Sequence, residues 1–191
     1  GMGQEPVTDV SPFESDDLMA TLDAAWLPFA TAVAVRRGPF HTPAVATIGA
    51  SSLPRLRTVV LRGCDTAAGA YASIPHVYSQ PAKLQVRLEG MARLHCDGEV
   101  ADLAWAASRP SSRECYTQTA APGVVLDAPE PDRILPGGPC EALQTGRANF
   151  CAVQVEIASL EWLYLRAAGH RRARFVRDAA TGSVRGAWLA P

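Results

Sequence analysis

Residues 49–54, "GASSLP", join two strand-like stretches and are too few to carry a helix across a sheet. Parallel neighbours need a crossover of about a dozen residues or more, so the "AVATI" before this connector and the "RLRTVVLRG" after it (residues 55–63) must run antiparallel, as a hairpin. Residues 83–96, "KLQVRLEGMARLHC", alternate Leu84, Val86 and Leu88 against Lys83, Gln85, Arg87 and Glu89, and a bend or bulge is expected at Gly90. "NFCAVQVEIASLEWLYLRAAGHRRARFVRD" reads as three short strands and "VRGAWLAP" as a last one. Strand pairs on short connectors favour a mainly β chain with helices, α+β in class, built as an antiparallel barrel and not as a doubly wound sheet.

Helices are expected at the front and in the middle. Ser11, Pro12 and Glu14 announce a helix N-terminus, and Leu18, Leu22, Ala25, Trp26 and Phe29 form one apolar stripe. Pro28 should kink or interrupt that helix, and Arg36-Arg37-Gly38 should end it. Asp97-Gly98-Glu99 precedes a helical "VADLAWAASR" that stops at Pro110, and residues 111–116 supply a further turn. Residues 121–148 read as a long Pro- and Gly-rich loop, with one helical turn at Glu141-Ala142-Leu143. Gly1 before Met2 reads as a scar of tag removal, residues 1–10 as a disordered tail, and 11–191 as one domain.

Several function classes are disfavoured. The net charge is −1 and aromatics are not interleaved with the basic clusters, so neither bulk charge nor base stacking points to nucleic acid. The five cysteines lack metal-ligand spacing and read as reduced thiols of a cytoplasmic protein; His41, His76 and His95 suggest no metal site. No apolar run is read as long enough to span a membrane, and no export signal is seen. The G-x-G-x-x-G, G-x-x-x-x-G-K and G-x-S-x-G motifs are absent, so an anion site would have to be made from side chains. Two cationic strands offer them. "RLRTVVLRG" puts Arg55 and Arg57 on one face and Arg62 on the other, and "GHRRARF" puts His170, Arg172 and Arg174 together. Trp162 and Tyr164 share a face and could be core or a wall for a flat ring.

In order along the chain, "ATIG", "RTVVLRG", "QVRLEG", an "SRP" after a helix, "EWL", "HRRARF" and a terminal "WLAP" resemble the pyridoxamine 5'-phosphate oxidase family of FMN-binding split barrels. The likeness is greater to the family's oxidase-related, FMN-binding branch. It implies a split β-barrel homodimer with FMN at the subunit interface and a small-molecule substrate. By the family's pattern, Arg57 and the run Thr58, Val59, Val60 and Leu61 would contact the flavin, and Arg62 stands where a lysine meets substrate. Gln85 would bond the flavin ring, Arg174 would contact the cofactor, and Trp162 or Tyr164 would flank the ring. Gln118, followed by Thr119, loosely matches a pair reaching in from the partner. Trp105, Arg109, His170 and Arg172 fall at substrate-binding positions.

Three departures from the pattern stand out. The family's Arg-x-His is His170-x-Arg172 here, and Arg113 falls where a serine is expected. The segment that normally grips the FMN phosphate is reduced to "YASIPHVYSQPAK", residues 71–83, with Lys83 reading as the lead-in to the next strand. Pro28 is expected to alter how the first helix packs on the barrel. The resemblance implies an FMN-dependent oxidoreductase that needs no protein nucleophile, acting on a small amine, phosphorylated or not, or a related substrate. Alternatives are a non-catalytic module binding flavin, another phosphate ligand or haem, and a nicotinamide-using flavin reductase.

Overall fold

Ser11 does not open the long helix. Its Oγ accepts from the Phe13 N–H and caps a 3-10 turn, Pro12–Glu14. The helix α1, Leu18–Val35, starts at Asp17, whose Oδ1 accepts from the Ala20 N–H at 2.7 Å. It runs unbroken through Pro28, contrary to the expected interruption, with Leu22, Ala25, Phe29 and Ala32 buried on both sides of the proline. Arg36 takes the left-handed conformation at its end, φ 54°, and its N–H reaches the Ala32 carbonyl. By length and composition α1 also passes for a membrane-spanning helix, a correction to the sequence reading, although core helices of soluble proteins meet the same test.

The computed structural model describes residues 11–65, 70–71, 76–130 and 144–191. The helical turn expected at Glu141-Ala142-Leu143 lies outside them. The chain divides into two compact units, one of the residues up to Ala92 together with Gln154–Pro191, the other Arg93–Val153.

Among the described residues the strands are β1 (Ala44–Ile48), β2 (Pro54–Thr58), β3 (Cys64–Asp65), β4 (Ala70–Tyr71), β5 (His76–Ser79), β6 (Leu84–His95), β7 (Ala152–Tyr164), β8 (Arg171–Arg177) and β9 (Val184–Leu189). They run in the order β2-β1-β5-β6-β7-β4-β3, with β8 on β7 and β9 on β8. The pairings with a defined register are all antiparallel. The expected hairpin is present as β1 and β2, with Val45 opposite Arg57, but β2 ends at Thr58. Beyond it the chain stays tied to residues 41–43: the Val59 N–H donates to the Pro43 carbonyl and the Leu61 N–H to the His41 carbonyl.

β6 continues through Gly90 with no break. Where three short strands were expected over residues 149–178 there are two, because β7 is long enough to pair with β4 through Val155 and Glu156 and with β8 from Ser159 onward. Consecutive buried residues, Ser159 and Leu160, mark where β7 changes which face it turns inward. The core of this unit is Leu22, Ala25 and Phe29 of α1 with Leu84, Val86, Leu88, Leu160, Trp162, Ala173 and Phe175 of the sheet.

The second unit holds α2 (Gly98–Ala107), the one-turn α3 (Pro110–Arg113) and a 3-10 turn at Thr145–Asn149. Trp105 is its centre, with ring centroids of Phe150 and Tyr116 at 5.4 and 5.9 Å.

Candidate functional site

Burial of Leu84, Val86 and Leu88 turns Gln85, Arg87 and Glu89 to the other face of β6. On β7, inward Leu160 and Trp162 leave Glu161 on that face, and on β8 inward Ala173 and Phe175 do the same for Arg172 and Arg174. Glu161 is the hub. Its Oε1 accepts from Arg172 Nη2 at 2.8 Å, from Arg172 Nε at 3.1 Å and from Arg87 Nη2. Arg174 stands directly across the ladder from Glu161 and, among the described residues, makes no ion pair. Glu89 accepts from Ser159 Oγ at 3.3 Å. The face carries three guanidiniums against two carboxylates, which suits an anion with hydrogen-bond acceptors.

The residues expected on the first hairpin lie at the far end of the strand order. Arg57 is exposed and donates from Nη2 to Thr47 Oγ1 at 2.9 Å. Thr58 and Val60 are exposed, Val59 and Arg62 half-buried, and Leu61 is core. All five residues of β2 are exposed, so neither of its faces, that of Arg55 and Arg57 included, is covered within the chain.

Trp162 is fully buried, with Phe13 packed on it at 6.1 Å and on Tyr164 at 5.4 Å. Of the two ring-flanking candidates, the half-buried Tyr164 is the one with an accessible side. His170 is exposed, and its Nδ1 accepts from the Arg166 N–H within the turn before β8. Arg171 points inward, lying over the Trp188 ring at 4.9 Å and donating to the Ser15 carbonyl and the Asp16 carboxylate.

The second unit contains the remaining candidates. Trp105 is core there, while Arg109 and Gln118 are exposed. Arg113, at the position of the family's serine, lies over the Trp105 ring at 5.3 Å and donates to the carbonyls of Trp105 and Ala106. It closes the C-terminal end of α2, where a cation also meets the helix dipole favourably.

One group of expected residues is therefore brought together: Gln85, Arg172 and Arg174. Sequence reasoning missed Arg87 and Glu161 as members, although the Gln85-x-Arg87-x-Glu89 alternation was the signal for the first. Lys83 adopts φ 52° in the turn entering β6, its N–H on the Gln80 carbonyl and its own carbonyl accepting from the Leu165 N–H, which accounts for its role as a lead-in. A separate, mainly apolar cavity of about 450 Å³ lies under α1, lined by Leu22, Trp26, Leu27, Phe175 and Val184 with Asp23 and Arg177. None of the expected site residues lines it. Among the described residues no cluster of His, Cys, Asp or Glu could hold a metal.

FMN can be tested against these residues. A flavin phosphate needs cations, and its ring needs amide or guanidinium donors at the carbonyl edge. Arg172, Arg174 and Gln85 fit in kind, and among the described residues Arg174 has no carboxylate partner. No such set joins them to Arg57 along the strand order of one chain.

Solved structures of the pyridoxamine 5'-phosphate oxidase-like split-barrel type share this antiparallel α+β fold. One is a pyridoxamine 5'-phosphate oxidase-related, FMN-binding protein from Nostoc punctiforme, 16% identical, with a TM-score of 0.61 over 95% of this chain and 99% of that one. Another is PhzG from Burkholderia lata, solved with tetrahydrophenazine-1-carboxylic acid, 18% identical, with a TM-score of 0.61 over 99% of this chain and all of that one. No protein-family model matches the chain, and no curated protein matches it by sequence.

Proposed function

We propose that this chain is an FMN-binding flavoprotein, an oxidoreductase acting on a small, amine-bearing or related substrate, and that it works as a homodimer in which each flavin is held by both copies. The observation that carries the reading is the β6-β7-β8 face, where Arg87 and Arg172 meet Glu161, Arg174 stands across the ladder from it and Gln85 shares the face of β6 with Arg87, in a fold shared with an FMN-binding protein. The need for two copies is supported by the strand pairing, in which β2, the strand of Arg57, pairs with β1 and not with β6, β7 or β8.

Bound FMN supplies hydride acceptance at its N5 and reoxidation by oxygen. The chain's part is to bind and orient. Arg174 offers an unpaired cation to an anionic group, Gln85 an amide donor, and Arg172 a guanidinium already fixed by Glu161. His170, in the turn before β8, and Arg62, beyond the end of β2, are the expected groups for selecting a substrate anion.

The test is spectroscopic. Purified protein should show flavin absorbance or, as apoprotein, bind added FMN. Failure to bind at millimolar FMN, an affinity of about 4 kcal/mol, would exclude the reading. A second reading, a binding module without turnover, is favoured by one feature: residues 76–82 carry no lysine or arginine. Peroxide release from FMN-loaded protein given pyridoxamine 5'-phosphate would argue for the oxidase, and bleaching by NAD(P)H for a reductase.

A further inference from the structure

Cys96 and Cys151 lie far apart in sequence, at the end of β6 and just before β7, yet their Sγ atoms stand 2.8 Å apart. They are near the two ends of the segment Arg93–Val153 that forms the second unit. Both are free thiols; Cys96 is exposed and Cys151 half-buried. Arg147 is the local cation. Its guanidinium is held by Asp102 at 2.8 and 3.0 Å and donates from Nη1 to the Cys96 carbonyl at 3.0 Å. No third metal-ligating group completes a cluster among the described residues, which sets this pair apart from a metal site.

We propose that Cys96 and Cys151 form a thiol-oxidation site, in which a peroxide converts the pair to a disulfide that ties together the two ends of the 93–153 segment. The Cys96 thiolate attacks one peroxide oxygen, breaking the O–O bond, and becomes a sulfenic acid as hydroxide leaves. The Cys151 thiol then attacks the Cys96 sulfur, forming the S–S bond and expelling the sulfenic oxygen as water. In sum, two thiols and one hydrogen peroxide give one disulfide and two waters. The order follows the surroundings: Cys96 is the accessible sulfur, while desolvation, followed by the nearby Cys96, pushes the Cys151 thiol up to about 11, keeping it protonated at neutral pH. The cross-link closes a long loop, 55 positions in sequence, and constrains the unfolded chain accordingly. The inference does not depend on the flavin.

The test uses the full chain, reduced, desalted and treated with stoichiometric hydrogen peroxide. The expected product has lost the mass of two hydrogens, and non-reducing peptide mapping joins the peptides of Cys96 and Cys151 while Cys64, Cys115 and Cys140 remain open to alkylation. Its Tm should lie about 5–10 °C above that of the reduced protein and return on reduction. In Cys151→Ser, dimedone should trap Cys96 as the sulfenic acid. Alkylation of both Cys96 and Cys151 in the peroxide-treated wild type, or a cross-link joining other cysteines, overturns the proposal whatever the variant does.

Discussion

A methyl group at Gly90 would fall onto the carbonyl of Glu156 on the neighbouring strand, and both sides of that collision are backbone. Gly90→Ala must therefore push β6 away from β7, and the expected cost is about 3 kcal/mol or more in urea unfolding, at the upper end of overpacking. The sequence marks this glycine as special but not why, since glycine serves both bends and close approaches. Asp178 is a second residue whose role is local. Its Oδ1 accepts from the Ala180 and Thr181 N–H groups at 2.9 Å in the turn between β8 and β9. Those bonds, the Thr181 ones first, hold its carboxyl below the ordinary 3.8. A lowered folded pKa gives stability that is complete above 3.8 and is lost as the pH falls from there through the folded value. Asp178→Asn should lower Tm at neutral pH, and its gap from wild type should close in acid; a gap independent of pH would show that the charge is not involved. At this scale the arginines were legible as an interesting set but not by role. Arg113 caps α2, Arg171 reaches the segment before α1, and Arg172 meets Glu161; alternation gives the face of a side chain, not its partner.

The elements were legible where hydrophobic period and connector length agree. The β1-β2 hairpin, β6 and α2 all follow from those two signals, whereas Pro28 misleads because local propensity is overruled by packing. Leu22 and Ala25 on one side, and Phe29 and Ala32 on the other, are buried and keep α1 helical through the proline. Pro28→Ala restores an N–H donor and removes the ring clash, so it should stabilise the protein by up to about 3 kcal/mol, read as a shift in the denaturant midpoint. A loss of stability would instead mean that Pro28 packing is needed. The length of β7 was hidden for a related reason. Its inward set changes parity at Ser159 and Leu160, so an alternation test cuts one strand into pieces.

For the whole molecule, the hairpin leaves Ile48, Leu53 and Leu56 between 64% and 73% exposed, a large apolar area for a chain to show to water. If the proposed homodimer covers it, Leu56→Asp should move the protein to the monomer position in light scattering and weaken FMN binding at the same time. A dimer that survives with its FMN affinity intact would place the contact elsewhere. Arg174→Ala, by contrast, should leave the oligomer and Tm unchanged while weakening FMN at least about tenfold, or about 1.4 kcal/mol. The order of motifs along the chain made the split-barrel fold readable, and solved structures 16% and 18% identical share that fold. The site was less readable, since its candidate residues are dispersed over β2, β6 and β8 and over a second unit, and no spacing in one chain reports that they belong together.

Glu161 takes two guanidiniums on a single oxygen, from strands on either side of its own. Either arginine could swing toward an arriving anion while the other kept the carboxylate company, so rearranging this surface would strand no buried charge. Recognition could then proceed as an exchange of partners, with little of the desolvation cost that breaking an isolated pair would bring.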